Sequence, residues 1–375
     1  MGKDLHSQSL DLLRFPLAII IVAVHVFNKE SIIVQDKIYD VSNISLYNDF
    51  LLFVDGFLRG ISVPVYFFIS GYVFFLGVNK FTTNIYLKKL RNRVYTLLIP
   101  FIIWNTFYIV IELAKYVFNG MSSFQTFGLE VNFTIKNFLS CFWQYNGELF
   151  VPITTNGEKI ISASLFPINT PLWFIRDLMI VVLFTPMINY LIKHTKFYLL
   201  LVLAIISFIP NLHIPFISAF LYFSIGAYLS IYNKNMVEEF GRLFKISMII
   251  YPLFSFLAII ATKYELYNNS QIFKQISVFG FLVLAYNVSI FILKYTPMRA
   301  GKILSHASFF IYVAHTLVFA RVTKVLFMLV NPDNGIETIF TYTLSVTLTI
   351  LSLLLVFMLM KKRIPRILQF VTGRK

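Results

Sequence analysis

The chain has 375 residues, of which 58% are hydrophobic and 13% are charged. Soluble domains carry about 25% charged residues, so this composition excludes an ordinary soluble enzyme and indicates a polytopic membrane protein. The net charge of +15 is not a nucleic-acid signal, because the basic residues lie in short segments between apolar runs. The single cysteine, Cys141, excludes an intramolecular disulfide.

Ten apolar stretches are candidate spans, and all but the fifth have the length of about 17 to 25 residues that suits a hydrocarbon core of about 30 Å. They lie near residues 10–28, 57–77, 94–118, 171–192, 197–211, 214–232, 246–262, 274–293, 307–330 and 338–360. The fifth stretch is short, and Pro210 and Pro215 frame its turn into the sixth. We therefore predict an all-α membrane protein, a polytopic bundle of about ten transmembrane helices. The whole chain, 1–375, is predicted to form a single integral membrane domain.

The distribution of Lys and Arg predicts the orientation of this bundle. With ten spans both termini lie on one side, and the segments on that side hold 20 of the 32 Lys and Arg residues, against 6 in the opposite loops. Cytoplasmic loops are enriched in these residues, so both termini are predicted to be cytoplasmic. Two opposite loops, 29–56 and 119–170, are long and polar. They are either contacts for a polar ligand or unselected surface.

Arg14 and His25 are eleven positions apart within the first span. Eleven residues turn a helix by about 1100°, within about 20° of three full turns, so the two side chains share one face about 16 Å apart. Ionisable groups in a spanning helix are costly unless they face a protein interior or a wet cavity. The pair therefore predicts a functional cavity that reaches through much of the bilayer. The alternative for His25 is a histidine satisfied by a neighbouring helix.

The inner end of the first span also holds charge. Asp11 precedes Arg14 by three residues, so the two side chains could form an ion pair on the helix surface. The functional alternative is that Arg14 binds an anionic group, for which the planar guanidinium is suited. A basic cluster follows the second span, at Lys88-Lys89-Leu90-Arg91-Asn92-Arg93. The cluster either marks the cytoplasmic side of the membrane or binds nucleotide phosphates.

Spans two and nine contain further polar side chains. Arg59 lies at the outer end of span two, and Ser70-Gly71 permits close helix approach there. In span nine, Tyr312 and His315 are three residues apart and face one side. Span nine therefore carries a second intramembrane polar stripe.

Span four begins with an adjacent charged pair, Arg176 and Asp177. Adjacent residues point about 100° apart on a helix, so we predict that each pairs with another helix. Glu112 and Lys115 near the outer end of span three are the candidate partners. No metal-ligand spacing, phosphate-binding loop or dinucleotide pattern is present in the sequence.

Taken together, five motifs resemble the acyltransferase-3 family of integral membrane O-acyltransferases. The family pattern of Arg or Lys, ten residues, then His matches Arg14 to His25. The other matches, in chain order, are Phe67–Gly71, the basic run and proline at 91–100, Leu172–Phe174, and Tyr312 with His315. Order and spacing hold from about residue 9 to residue 360, so the resemblance covers nearly the whole chain.

The resemblance implies a bacterial cytoplasmic-membrane O-acyltransferase that moves an acyl group, here assigned as acetyl, from cytoplasmic acyl-CoA to a carbohydrate hydroxyl. The acceptor would be a cell-surface or lipid-linked carbohydrate. Acetyl-CoA would be the donor substrate, with no permanently bound cofactor and no metal. The expected partners are the carbohydrate acceptor, acyl-CoA, the lipid bilayer and polysaccharide biosynthesis proteins, and no nucleic acid. Some members carry a fused hydrolase-like domain, which is not expected here.

On this hypothesis the catalytic residues are His25, Arg14 and Asp11. His25 acts either as general base on the acceptor hydroxyl or as a transient carrier of the acyl group. Arg91 and Arg93 join Arg14 in binding the phosphates of the donor. The acceptor or thioester pocket is predicted to contain Arg59, Ser70, Trp173, Arg176, Tyr312 and His315.

A polysaccharide exporter or flippase, which would use the charged cavity for passage without chemistry, is the alternative from another class. It predicts inverted repeats and broken helices in matching halves, and the sequence shows neither, although Pro64 and Pro252 interrupt two spans. A purely structural scaffold gives no reason for Arg14, His25, Arg176 and His315 within spans.

Overall fold

The computed structural model describes residues 2–34, 37–117, 126–154, 159, 161–209, 212, 216–296 and 301–373. The first third contains α1 (Gly2–Val26), β1 (Ile32–Val34), β2 (Lys37–Tyr39), α2 (Ser45–Phe57), α3 (Ser62–Phe75), α4 (Thr83–Arg93) and α5 (Ile99–Val117). The middle contains β3 (Thr126–Val131), α6 (Ile135–Trp143), β4 (Phe150–Thr154), α7 (Trp173–Leu183), α8 (Thr185–Thr195), α9 (Tyr198–Phe208) and α10 (Ile217–Ile231). The last part contains α11 (Met236–Arg242), α12 (Phe244–Lys263), α13 (Tyr267–Tyr295), α14 (Lys302–Val330), α15 (Gly335–Arg363) and α16 (Pro365–Thr372).

The architecture confirms an all-α multi-pass membrane protein. Within the described ranges, seven helical segments are long and apolar enough to cross a membrane, or eight if the bent pair α7 and α8 counts as one span. The number of ten stays a prediction, because α9 and α10 have 11 and 15 residues, and a hydrocarbon core needs about 20. Pro210 and Pro215, predicted to frame the turn between them, lie outside the described residues.

The two loops predicted to be long each contain a short antiparallel pair of strands. In the loop at 29–56, β1 pairs with β2, with Ile33 opposite Ile38. In the loop at 119–170, β3 pairs with β4, with Glu130 opposite Val151. Among the described residues, β-strands occur only in these loops, and the candidate spans are helical. We name the end of the bundle where α1 finishes the outer end, and the opposite end the inner end, after the predicted orientation.

Two predicted loop segments proved helical, so the predicted span boundaries are wrong there. The loop at 29–56 ends in α2, which lies in line with α3 as one candidate span, Ser45–Phe75. The joint between them contains Gly60, whose φ of 88° suits glycine. The basic segment at 78–93 is mostly α4, capped by the Thr82 side chain. The apolar stretch stops at the first polar residues, whereas the helix itself continues past them.

A π-helical turn at Val94–Leu98 joins α4 to α5. Pro100, the second residue of α5, has no N–H, so it cannot donate to the carbonyl of Thr96 four residues earlier. A turn with wider hydrogen-bond spacing is one way for a helix to absorb such a gap, and π turns recur at functional sites.

The fourth predicted span is bent by 62° between α7 and α8. Pro186 lies in the first turn of α8, where a proline is tolerated, but it ends the hydrogen-bond ladder of α7. This is the one bent helix pair among the described residues, so the expectation that no broken helices occur in matching halves of the chain stays a prediction.

Helix α1 is the centre of the bundle. It packs against α3, α13, α14 and α15, and Leu17, Ala18 and Val22 are almost completely buried. A helix that carries Arg14 and His25 is thus enclosed by other helices, which removes its polar groups from lipid.

Helices α3 and α10 approach each other through two glycines. A Cβ atom at Gly71 would overlap the backbone carbonyl of Phe223, and one at Gly226 would overlap that of Phe68. The predicted close approach at Ser70-Gly71 is confirmed, and small residues at such a contact let two backbones meet.

We expect Gly71→Ala to destabilise the protein by about 1–3 kcal/mol, because the added methyl group overfills the α3–α10 contact. The measurement is the midpoint of thermal aggregation in detergent, followed by size-exclusion chromatography. Gly241→Ala is the matched control, because a Cβ atom at Gly241 meets open space. Equal midpoints for the two variants would contradict the close approach.

Candidate functional site

The imidazole rings of His25 and His315 meet inside the bundle. Their centroids are 5.1 Å apart and the ring planes are tilted by 46°. His315 is completely buried and His25 is half-buried. The packing of α1 against α14 produces this pair, so the two polar stripes predicted from the sequence face each other.

The hydrogen bond of His315 fixes its tautomer. Its Nδ1 lies 2.7 Å from the carbonyl oxygen of Tyr312, and a carbonyl can only accept, so Nδ1 carries the proton. Nε2 therefore keeps a lone pair, and this buried atom has no hydrogen-bond partner among the described residues. A buried acceptor without a donor is costly, which is typical of a functional site. Tyr312 itself is held by its hydroxyl, which donates to the carbonyl of Pro171.

A buried amide, Asn169, supports the turn of α14 that carries His315. Its Nδ2 donates to the carbonyl of Val313 at 3.3 Å, and its Oδ1 accepts from the Thr316 hydroxyl at 3.2 Å. Its backbone N–H donates to Oδ1 of Asn105 on α5 at 3.3 Å. The sequence analysis missed both asparagines, although an amide in an apolar stretch is itself a signal that it needs partners.

At the inner end of α1, Arg14 and Asp11 form an ion pair of 2.8 Å between Nη1 and Oδ1. The helix-surface pairing anticipated from their spacing is therefore present, and both side chains remain partly exposed. The hydroxyl of Tyr66 on α3 donates to the carbonyl of Arg14 at 2.5 Å. Arg14 is also near enough to Arg93 for their positive charges to repel, so an anion at this place would be stabilised.

A basic cavity of about 1,260 Å³ lies where α3 ends and α4 begins. Among the described residues, its lining contains no acidic side chain and has five cationic ones: Lys80, Lys88, Lys89, Arg91 and Arg93. Lys89 and Arg93 lie over the ring of Phe74, at 5.2 Å and 5.9 Å from its centroid. The structure thus brings the predicted Arg91 and Arg93 together and adds Lys80, which the sequence analysis did not single out.

Two cavities at the outer end adjoin the last turn of α1. One has a volume of about 490 Å³ and the other about 240 Å³, and Asn28 and Glu30 line both. Arg59 lines the larger cavity, where it pairs with Asp55, which also binds Lys274 at 3.3 Å. The charge of Arg59 interacts with His25 across this region.

Arg176 and Asp177 pair with each other, so the prediction that each pairs with another helix is wrong. Nε and Nη2 of Arg176 both lie 2.9 Å from Oδ1 of Asp177. Nη1 donates to the carbonyls of Trp143 and Leu165 at 2.7 and 3.0 Å. The 100° separation of neighbouring residues does not prevent pairing when the guanidinium is long enough to reach back. Arg176 therefore fastens the outer segment containing α6 to α7.

The other predicted pocket residues stand apart from the histidines. In the part of the chain that the structure describes, neither Ser70 nor Trp173 bonds to or stacks on His25 or His315. Trp173 packs near Phe166, with ring centroids 6.1 Å apart.

Covalent chemistry by the single cysteine does not fit this site. Cys141 is completely buried in α6, and burial raises the pKa of its thiol to about 12. It is therefore protonated and unreactive at neutral pH. The described residues contain no group of three or more His, Cys, Asp or Glu side chains that could hold a metal ion.

The fold and site define a class: a multi-pass membrane protein whose bundle encloses a histidine pair and opens to a basic cavity at its inner end. A family model described as an acyltransferase domain matches residues 7–361, so the chain belongs to the acyltransferase-3 family.

The chain is also similar to the succinoglycan biosynthesis protein ExoH of Rhizobium meliloti strain 1021, with 28% identity over 196 residues. This alignment covers 51% of this chain and 46% of the relative, about half of each. No solved structure matches the chain.

Arg176→Ala should destabilise the protein by about 3–5 kcal/mol, because it leaves Asp177 buried without its partner and releases the Trp143 and Leu165 carbonyls. Limited proteolysis in detergent should cut the segment 126–154 faster than in the wild type. Arg242→Ala, which breaks only the exposed pair with Glu238, should leave the cleavage rate unchanged. If the Arg176→Ala protein had normal stability but bound no substrate, the structural role would be contradicted and a place for Arg176 in the substrate pocket would be supported.

Proposed function

We propose that this protein transfers an acetyl group from acetyl-CoA to a hydroxyl of a cell-surface or lipid-linked carbohydrate, in a bacterial cytoplasmic membrane. Membership of the family provides the acyl transfer, and the printed role of the relative in succinoglycan biosynthesis supports a polysaccharide acceptor. The meeting of His25 and His315 carries the proposal, because a buried imidazole pair with an unpaired nitrogen is suited to moving a proton.

In the direct route, His25 removes the proton from the acceptor hydroxyl, and the oxygen attacks the thioester carbonyl carbon. The new C–O bond forms, the C–S bond breaks, and the proton passes from His25 to the departing thiolate, which leaves as the coenzyme A thiol. In the second route the His25 nitrogen attacks the thioester carbonyl carbon, the C–S bond breaks, and the thiolate leaves as the coenzyme A thiol with the proton of the other imidazole nitrogen. The acceptor hydroxyl then gives its proton to that nitrogen, its oxygen forms the new C–O bond, and the C–N bond to His25 breaks. Both routes need a free nitrogen on His25.

His315 has the proton arrangement to orient His25. Because Nδ1 of His315 is protonated, its Nε2 can accept an N–H from His25. The bond is not formed in the structure, where Nε2 has no partner in the described parts of the chain, but the two rings are neighbours with centroids 5.1 Å apart. The other nitrogen of His25 then keeps its lone pair for the acceptor or the thioester. A partner that fixes a catalytic tautomer in this way resembles the third member of a hydrolase triad in its role.

The basic cavity at the inner end is the proposed donor site. Coenzyme A carries three phosphate groups, and the cavity offers five cations and no carboxylate. Arg14 lies between this cavity and His25, and its repulsion from Arg93 would be relieved by a phosphate. A row of aromatic rings, Tyr66, Phe174 and Tyr312, connects the Arg14 carbonyl to His315, with neighbouring ring centroids 5.8, 6.0 and 6.5 Å apart.

The outer cavities are the proposed acceptor site. Their shared lining at Asn28 and Glu30 begins three residues beyond His25, and the larger one presents Asp55, Arg59 and Lys29. Amide, carboxylate and ammonium groups are suited to hydrogen bonding with sugar hydroxyls. A donor from the inner end and an acceptor from the outer end would then meet at the histidine pair.

The exporter alternative is favoured by one observation, the 62° bend between α7 and α8, since broken helices are typical of transporters. Passage of a polysaccharide without chemistry would not consume acetyl-CoA. Release of the coenzyme A thiol therefore separates the two functions.

His25→Ala should lower glycan-stimulated thiol release from acetyl-CoA by at least about 100-fold, because a general base contributes about 10²–10⁴ in rate. The assay uses purified protein with and without membrane glycan extract. His315→Gln keeps a hydrogen-bonding side chain of similar reach and should retain more activity than His315→Ala.

His194→Ala is the matched control, because His194 is exposed on α8, where its ring contacts Tyr190 through the backbone carbonyl and the aromatic ring. It should act as the wild type does. Wild-type turnover by folded His25→Ala would exclude the assigned role, and no thiol release by the wild type with any extract would favour the exporter.

Arg93→Gln and Arg14→Ala should each raise the KM for acetyl-CoA about tenfold or more, because each removes a cation from the donor path, while the KM for the acceptor changes little. The comparison is steady-state kinetics with each substrate varied in turn. Lys193→Gln, a basic residue remote from the cavity lining, should change neither value. An unchanged KM for acetyl-CoA in both variants would remove the donor assignment.

A further inference from the structure

The short helix α16 is attached to the inner end of the bundle. It follows α15 after a single break at Ile364 and begins with Pro365. It packs against α5, α14 and α15, with Leu368 and Thr372 buried. The indole Nε1 of Trp104 on α5 donates to the carbonyl of Val371 at 2.9 Å.

Three apolar side chains at the start of α16 and along its exposed side are uncovered. Ile364, Ile367 and Phe370 recur every three residues and are 41%, 52% and 59% exposed. This face lies one residue beyond α15, a candidate membrane span that ends at Arg363. An apolar stripe at that level lies in the boundary between lipid headgroups and acyl chains.

The same segment is strongly basic. Residues 361–373 contain no acidic side chain and four cations, all exposed: Lys361, Lys362, Arg363 and Arg366. Clusters of this kind directly after a membrane helix are attracted to anionic lipid. The apolar side chains alone would bind any bilayer. The four cations favour a bilayer surface that carries anionic phospholipid headgroups.

The end of α16 also touches Thr96, which directly follows Tyr95, a lining residue of the basic cavity. Gly373 has a φ of 65°, and a Cβ atom there would lie 2.6 Å from the backbone of Thr96. Thr96 belongs to the π-helical turn, whose preceding residues Tyr95 and Arg93 line the cavity. A displacement of α16 would therefore remove the backing of this part of the cavity wall.

We propose that α16 binds anionic phospholipid headgroups at the inner membrane surface and, through Gly373 and Thr96, holds the wall of the donor cavity in its binding shape. The coupling to the donor rests on the proposed function, whereas lipid binding by α16 does not. Anionic lipid would then act as a positive effector of donor binding.

The lipid half is tested by hydrogen–deuterium exchange of residues 365–373 in nanodiscs. We expect at least about fivefold slower exchange when about a third of neutral phosphatidylcholine is replaced by phosphatidylglycerol, and loss of this difference in high salt. The difference should vanish in a variant with Gln at Lys361, Lys362, Arg363 and Arg366. It should persist in a charge-matched control with Gln at Lys193, Lys196, Lys245 and Lys302. Equal exchange in the two membranes would overturn the proposal.

The coupling half is tested by titrating coenzyme A into the same nanodiscs. We expect about fivefold tighter binding in the anionic membrane for the wild type. Gly373→Val, which overfills the contact with Thr96, should keep the lipid-dependent exchange yet lose the lipid effect on coenzyme A. If anionic lipid slows exchange in α16 but coenzyme A binds equally tightly in both membranes, the proposed effect of lipid on donor binding is wrong. Absence of coenzyme A binding in every membrane would instead reject the proposed donor, and the exchange result would still decide on lipid binding.

Discussion

The packing of α1 against α14 is the contact on which the site depends. Each helix alone would carry an imidazole into the bilayer, where a polar group facing lipid is costly. Together they enclose His25 and His315, and the bond from His315 to the Tyr312 carbonyl determines which nitrogen stays free. Asn169 ties the same turn of α14 to the segment that precedes α7. The chemistry and the stability of the bundle centre therefore share the same few contacts.

The charged side chains are placed along the bundle where water or a partner can stabilise them. The fully charged groups lie toward the two ends, as the basic cavity, the partly exposed Arg14–Asp11 pair and the Arg59–Asp55 pair show. The buried pair of Arg176 and Asp177 is satisfied internally. At the centre the ionisable groups are imidazoles, which can remain neutral. A negatively charged donor and a polar acceptor would each meet complementary groups before they meet each other.

The sequence predicted the stripes but not their meeting. The spacing of Arg14 and His25, and that of Tyr312 and His315, follows from the helical period and needs no tertiary information. That the two stripes face each other depends on packing between residues 290 positions apart, which no single-chain pattern encodes. The boundaries of α2 and α4 were missed because hydropathy falls where a helix enters the polar layer. Arg176 was misread because a helical wheel describes Cβ directions, whereas a long guanidinium can turn back on its neighbour.

The π-helical turn at Val94–Leu98 sets the rotational phase between α4 and α5. Such a turn holds one more residue than regular α-helix would, and each residue of an α-helix corresponds to about 100° of rotation. A chain shorter by one residue between Arg93 and Pro100 could form an unbroken helix there. Its α4 would then be turned by roughly a quarter of a circle, so Arg93 would leave the ring of Phe74 and the cations would face a different neighbour. The position of the cations therefore depends on the number of residues in this turn more than on which residues they are.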